Sequence, residues 1–263
     1  MSVGVAIVLG ILQGLTEFFP VSSSGHLALF GAWFGLTEPD LTFDILVHLA
    51  TLAAILIYFR DDWFKLANML RGKGRGDLPK HIIPYLIISM IPAGLVGVFG
   101  KEHIEWVHAR PEYVGAFLLV TGTVLLAGFK LKNNNRPLQE ITIGIVIAMA
   151  FAQAFAVAPG ISRAGMTIMM GLFLGMERFA SARFSFLMAV PVIGGAGVLA
   201  IMDLMGSAHA MTSEMWLAYG AGFIAAMFSG FFALVFLMKL LEGKRFFLFG
   251  FYCLAMGLFA IFF

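Results

Sequence analysis

QGLTEFFPVSSSGH, residues 13–26, puts a glutamate, a proline, three serines, a glycine and a histidine inside an otherwise apolar stretch that runs from about 3 to 36. A second apolar stretch, 141–176, is broken the same way by APGISRAGMT at residues 158–167. A spanning helix needs about 20 apolar residues, so each stretch is too short for two full crossings and a loop. The pattern predicts a re-entrant helix–loop–helix, whose irregular backbone is tolerated at membrane depth only where protein or a watery cavity surrounds it.

Composition places both stretches in lipid. The chain has 263 residues, 60% hydrophobic and 12% charged, against about 25% charged for soluble domains. A very apolar soluble α/β enzyme is the weaker reading. The net charge of +2 implies no strong pull toward nucleic acid. One cysteine, Cys253, excludes an intramolecular disulfide. The N-terminus has no basic residue before its apolar run, so it does not read as a signal peptide. No polar linker divides the chain, and residues 1–263 are expected to form one membrane domain.

The remaining apolar stretches, 43–59, 82–100, 113–129, 184–202, 216–238 and 246–263, read as six transmembrane helices. Lys and Arg number six in 60–81, three in 130–140, two in 177–183 and three in 239–245. Segments 37–42 and 203–214 hold none, and 101–112 holds two beside three glutamates. The positive-inside rule then makes the first group cytoplasmic and the second external. Six spans and two hairpins satisfy every loop, with the hairpins entering from opposite sides. The expected fold is all-α and polytopic, with an inverted repeat of about 1–130 and 141–263. At a constant offset of 140, Gln13 meets Gln153, Ser22 meets Ser162, Gly25 meets Gly165, Gly31 meets Gly171 and Gly35 meets Gly175. Inverted repeats with broken helices place a binding site at the midplane.

Of the 17 Lys and Arg, only Arg163 falls inside a hairpin, and of the 15 acids only Glu17 lies deep in an apolar stretch. An ionisable residue there is a functional-site hypothesis by default. A structural ion pair is the bland alternative, although burying one is weak evidence for stability. Pro20 and Pro159-Gly160 stop half-helices, and Ser22, Ser23 or Ser24 and Ser162 are preferred caps for the next ones. Two helix N-termini beside Arg163 would hold an anion such as a diphosphate, with Ser162 and Thr167 adding hydroxyls.

Ser23 and His26 share a helix face, the pairing of a nucleophile with its base; the alternative is direct attack by the histidine. Glu17 and the Gln13 side-chain oxygen are hard donors for Mg²⁺ or Ca²⁺, brought mainly by the substrate phosphates. Asp44 and His48, four residues apart, read as support or a local pair. His81, His103, His108 and His209 read as solvated loop residues, and GKGRGD at 72–77 as a flexible basic turn.

These residues resemble the bacterial undecaprenyl-diphosphate phosphatase family, also called bacitracin-resistance proteins. The first family motif stands as Gln13, Glu17, Pro20, Val21, Ser22, Ser23, Ser24, Gly25 and His26. The second stands as Pro159, Gly160, Ser162, Arg163, Ala164, Gly165 and Thr167. The resemblance implies hydrolysis of undecaprenyl diphosphate to the monophosphate carrier and phosphate, in cell-wall lipid-carrier recycling, with a divalent cation. It implies a multi-pass protein of the bacterial inner membrane whose site opens to the periplasmic or outer side, often as a homodimer. Glu17, Ser23, His26 and Arg163 carry over as active-site residues. Two departures stand out: many members have Glu where this chain has Gln13, and Ala164 replaces a frequent serine. A polyprenyl-phosphate flippase or anion transporter built on the same midplane site is the competing function, although a pure carrier needs no nucleophile.

Overall fold

The computed structural model describes residues 1–35, 40–131, 135–206, 212–243 and 245–262. Among them the chain forms twelve α-helices and no strand; one isolated bridge pairs Arg136 with Met176. Five helical segments are long and apolar enough to cross a membrane. They are Ile82–Phe99 (α5), Pro111–Lys130 (which contains α7, Pro111–Ala127), Arg178–Leu199 (the first part of α10, Arg178–Gly206), Ser213–Leu240 (α11) and Arg245–Phe262 (which ends in α12, Phe249–Phe262).

The sixth expected span differs. Helix α3 (Leu41–Tyr58) turns through 77° into α4 (Arg60–Leu70), and only the two together pass as a span. The sequence counted 60–81 as a basic loop. Its first part is helical because Asp61 and Asp62 sit in the first turn of α4, where the helix dipole favours acids. Likewise α6 (Lys101–His108) occupies a segment read as a loop, with His103 and His108 on it. His209 and the stretches 36–39 and 207–211 lie outside the described residues.

Each of the two interrupted stretches folds as a helix, a break and a second helix: α1 (Val3–Phe18) with α2 (Ser23–Trp33), and α8 (Ile143–Phe155) with α9 (Arg163–Phe173). The residue before a proline is pushed out of the α region, and Phe19 accordingly ends α1 with φ −64, ψ 144. Ser22 caps α2 and Ser162 caps α9, each accepting a hydrogen bond from the glycine amide three residues on, Gly25 or Gly165. Two residues past each second helix, Gly35 and Gly175 take positive φ.

The helices pack crosswise. α1 lies chiefly on α11, while α8 lies on α5; α7 pairs with α12, and α3 packs on α11 and then on α10. Small residues let these axes approach. A Cβ on Gly10 of α1 would stand 2.3 Å from the Gly222 carbonyl oxygen of α11, and one on Gly115 of α7 would stand 2.6 Å from that of Gly257 in α12. The surface is apolar, with Trp33, Phe99, Phe232 and Phe262 among the exposed side chains, whereas Gln13, Glu17, Thr121, Gln153 and Thr167 are buried. A polar interior inside an apolar exterior is the arrangement that lipid surroundings demand.

At the basic end, Arg183 of α10 donates to both oxygens of Asp62 (2.8 and 2.5 Å) and to Asp77 (2.8 Å), which also takes Lys65 at 2.6 Å. Hydrogen bonds from Arg183, and then from Lys65, hold the Asp77 carboxyl well below the usual carboxylate range.

Candidate active site

The two breaks touch. The Gly160 amide donates to the Ser22 hydroxyl at 3.1 Å, and Gly25 is close enough that a Cβ there would stand 3.2 Å from the Gly160 Cα. Gly160 itself has φ +98, and a Cβ on it would stand 2.3 Å from the Val114 carbonyl oxygen, so only glycine fits. Thr121 of α7 clamps the second break: its hydroxyl donates to the Gly160 carbonyl (3.0 Å) and accepts from the Ser162 amide (3.1 Å).

Beside the junction lies a cavity of about 190 Å³. Its polar wall is Glu17, Ser22, Ser23, Ser24, Ser162 and Arg163, with His48 and Gln153; Ala93, Val157, Ala189 and Ile193 give it an apolar side. The lone deep acid and the lone hairpin arginine meet here: Arg163 Nη2 donates to Glu17 Oε1. Ser23 Oγ donates to Glu17 Oε2 at 2.6 Å, Gln13 Nε2 donates to the same oxygen at 3.2 Å, and His48 Nε2 stands 3.6 Å from it. Arg163 Nη1 is buried without a partner among the described residues. The first amides of a helix have no intrahelical acceptor, so those of Ser23 and Ser24 in α2 and of Arg163 and Ala164 in α9 add partial positive charge to the same region.

Several expected roles look different in three dimensions. Ser23 and His26 do not bond to each other. His26 Nδ1 lies 2.8 Å from the Ser22 carbonyl oxygen and therefore donates to it, leaving Nε2 to accept from the Tyr252 hydroxyl at 2.7 Å. The spacing placed both residues on one face, but the imidazole folds back to a carbonyl four residues earlier, which spacing cannot reveal. Thr167 is fully buried and bonds Arg163 O (2.8 Å) and Ser185 Oγ (2.5 Å), so it braces α9 against α10 instead of lining the cavity. Gly25 and Gly160 hold the two breaks together. Asp44 supports His48 through its backbone carbonyl, which accepts from His48 Nδ1 at 2.7 Å. Gln13 is buried behind Glu17 and is not among the residues lining the cavity.

Thr121, Tyr252 and Gln153 were missed. Thr121 and Tyr252 stand alone on remote helices and carry no local signal; Gln153 was visible only as the offset partner of Gln13.

The oxygen donors of the residues lining the cavity are hard, a carboxylate, serine hydroxyls and the partnerless amide oxygen of Gln153, with the His48 imidazole beside them. They fit a hard divalent cation of the Mg²⁺ or Ca²⁺ type. They do not form a closed cage, since Glu17 is already met by Arg163, Ser23 and Gln13, and no cluster of three His, Cys, Asp or Glu occurs among the described residues. Such a cation would share its coordination with phosphate oxygens.

The chain matches the family described as bacitracin resistance protein BacA over residues 6–259. It is 38% identical over 257 residues to the undecaprenyl-diphosphatase of Methanococcus vannielii, covering 98% of both chains. It is 35% identical over 261 residues to that of Halothermothrix orenii, covering 99% of this chain and 98% of the relative. With that of Desulfosudis oleivorans it shares 40% identity over 266 residues, covering 95% and 94%. A match across nearly the whole chain, together with both motifs meeting at one cavity, establishes that the protein belongs to the bacitracin resistance protein BacA family.

Proposed function

We propose that this protein is an integral membrane phosphatase that hydrolyses undecaprenyl diphosphate to undecaprenyl phosphate and inorganic phosphate, recycling the cell-wall lipid carrier. The observation that carries the reading is the Glu17–Arg163 pair with Ser23 Oγ hydrogen-bonded to Glu17 at the cavity wall. The relatives' names supply the substrate.

Ser23 is the nucleophile in this mechanism. Its proton already points at the Glu17 carboxylate, which accepts it as the Ser23 oxygen attacks the terminal phosphorus. The bond to the bridging oxygen breaks, undecaprenyl phosphate departs, and water then hydrolyses the phosphoserine. In the free enzyme the Glu17 carboxylate is engaged by Arg163. When phosphate oxygens draw the guanidinium away, the carboxylate is released to take the Ser23 proton, so substrate binding itself frees the base. Arg163 Nη1 and the first amides of α2 and α9 meet the charge on the phosphoryl oxygens, the dominant contribution in phosphoryl transfer. A divalent cation on the phosphates, shared with Glu17, would neutralise further charge.

The architecture we propose has α1–α2 and α8–α9 as re-entrant hairpins from opposite faces of one inverted repeat. The 140-residue offset carries α2 onto α9 end for end, with a serine cap before each and a positive-φ glycine after each. The crosswise packing supports it, because each hairpin lies on the second span of the other half. The protein sits in the bacterial plasma membrane with the basic segments cytoplasmic and the site opening outward.

Phosphate release from a long-chain polyprenyl diphosphate by purified protein in detergent, with and without chelator, tests the reading. Release should require a divalent cation, and Glu17→Ala and Arg163→Ala should each lower it by about 10²–10⁴-fold. Near-normal turnover in both variants would remove the hydrolase.

A further inference from the structure

Gln153 is 1% exposed, sits on α8 and lines the same cavity as Glu17 and Ser23. Its amide orientation is dictated by a neighbour. Nε2 donates at 3.1 Å to the Ser89 carbonyl of α5, and a carbonyl can only accept, so the amide oxygen has to face the other way. Pro92 lies inside the same helix and disturbs that turn. Gln153 Oε1 is consequently buried with no partner among the described residues. An enclosed acceptor left unmade is unfavourable, and in a native protein it calls for an explanation.

Gln13, its counterpart at the 140-residue offset, also has a buried Oε1 with no partner among the described residues, but Gln153 lines the cavity and Gln13 does not. One turn after Gln13 stands Glu17, which takes its amide nitrogen.

An acceptor facing a diphosphate site needs an electropositive partner. Ionised phosphate oxygens have no proton to offer and repel a carbonyl oxygen. A hard divalent cation reconciles the two, since it binds amide carbonyls, carboxylates and phosphate oxygens together. We propose that Gln153 Oε1, rather than Gln13, is the second protein oxygen on the divalent cation that accompanies the substrate. This rests on the phosphatase reading above and assigns the cation a ligand from each half of the chain, Glu17 and Gln153.

Mn²⁺ is the probe, titrated into detergent-purified protein with methylene diphosphonate as a non-hydrolysable diphosphate and followed by electron paramagnetic resonance. Gln153→Met keeps the side-chain length and removes the oxygen; it should weaken Mn²⁺ binding about 10-fold and raise the half-saturating Mn²⁺ concentration for phosphate release in parallel. Gln153→Asn, which shortens the reach, should show the same weakening and serves if the methionine variant does not fold. Gln13→Met should perturb Mn²⁺ binding less than Gln153→Met. Wild-type affinity in both Gln153 variants, or an equal or larger loss in Gln13→Met, overturns the assignment. If wild type binds no Mn²⁺ while still releasing phosphate, the cation is removed from the proposed mechanism and this inference falls with it, whereas the hydrolase itself stands.

Discussion

Ser22 shows how the site is held at the scale of one residue. Its φ of 67 is the one positive value at a non-glycine among the described residues, a conformation that costs on the order of 1–3 kcal/mol. Four hydrogen bonds fix it there: its hydroxyl accepts from the Gly25 and Gly160 amides, and its carbonyl accepts from the His26 amide and from His26 Nδ1. His26 in turn accepts from Tyr252. The histidine is thus held at both ring nitrogens and braces the Ser22 carbonyl, one residue before Ser23. An asparagine amide can replace the Nδ1 donor but cannot act as base or nucleophile. Turnover should therefore survive in His26→Asn at about a tenth of wild type and fall much further in His26→Ala; equal loss in both would restore the imidazole to the chemistry. Tyr252→Phe removes one neutral hydrogen bond, worth about 1 kcal/mol, and should slow phosphate release by about fivefold. Glu17, Ser23 and Arg163 were legible in the sequence because charge and hydroxyls are rare in apolar stretches. The partner of His26 was not legible, because Tyr252 is 226 residues away and only packing brings it close.

Among the elements, the two breaks matter most, and their residues were readable: prolines to stop a helix and serines to start the next. What holds the breaks against each other was not readable. Thr121 lies mid-helix in α7 with no pattern around it, yet it supplies two of the hydrogen bonds that seat the second break. Gly160→Ala would force a Cβ against the Val114 carbonyl in a backbone region alanine resists. It should lower the melting temperature in detergent by several degrees and abolish turnover, while Gly220→Ala on α11, where a Cβ meets nothing within 4 Å, should keep most activity. Equal activity in the two variants would mean that the breaks do not need to touch. Helices α4 and α6 escaped the sequence reading because counting charge identifies a segment as solvated without saying whether it is helical.

For the whole molecule, the span count came from hydropathy, which survives averaging over many residues. The 77° bend after α3 did not, because no proline or glycine marks it. Cys253 is fully buried, which leaves a low background for thiol labelling. In cells, Gly74→Cys in the exposed basic turn should react with an impermeant reagent only after lysis, and Glu105→Cys on α6 should react from outside. The reverse pattern would invert the proposed orientation. At the basic end, Asp77 joins α4, the basic turn and α10 through Lys65 and Arg183. Its carboxyl is depressed in the folded state, so its contribution is present above the ordinary carboxylate range and is lost only as pH falls below that range. The difference in melting temperature between wild type and Asp77→Asn should accordingly stay constant from about pH 8 to about pH 5.

The account depends on Ser23 being poised against a carboxylate that Arg163 holds in check. Rapid quenching of the purified protein with undecaprenyl diphosphate labelled on its terminal phosphate tests this directly. Label should pass transiently onto Ser23 in wild type and in His26→Asn, and be absent from Ser23→Ala, which should also have lost turnover. Label on His26, or full turnover in Ser23→Ala with no labelled protein, would contradict it.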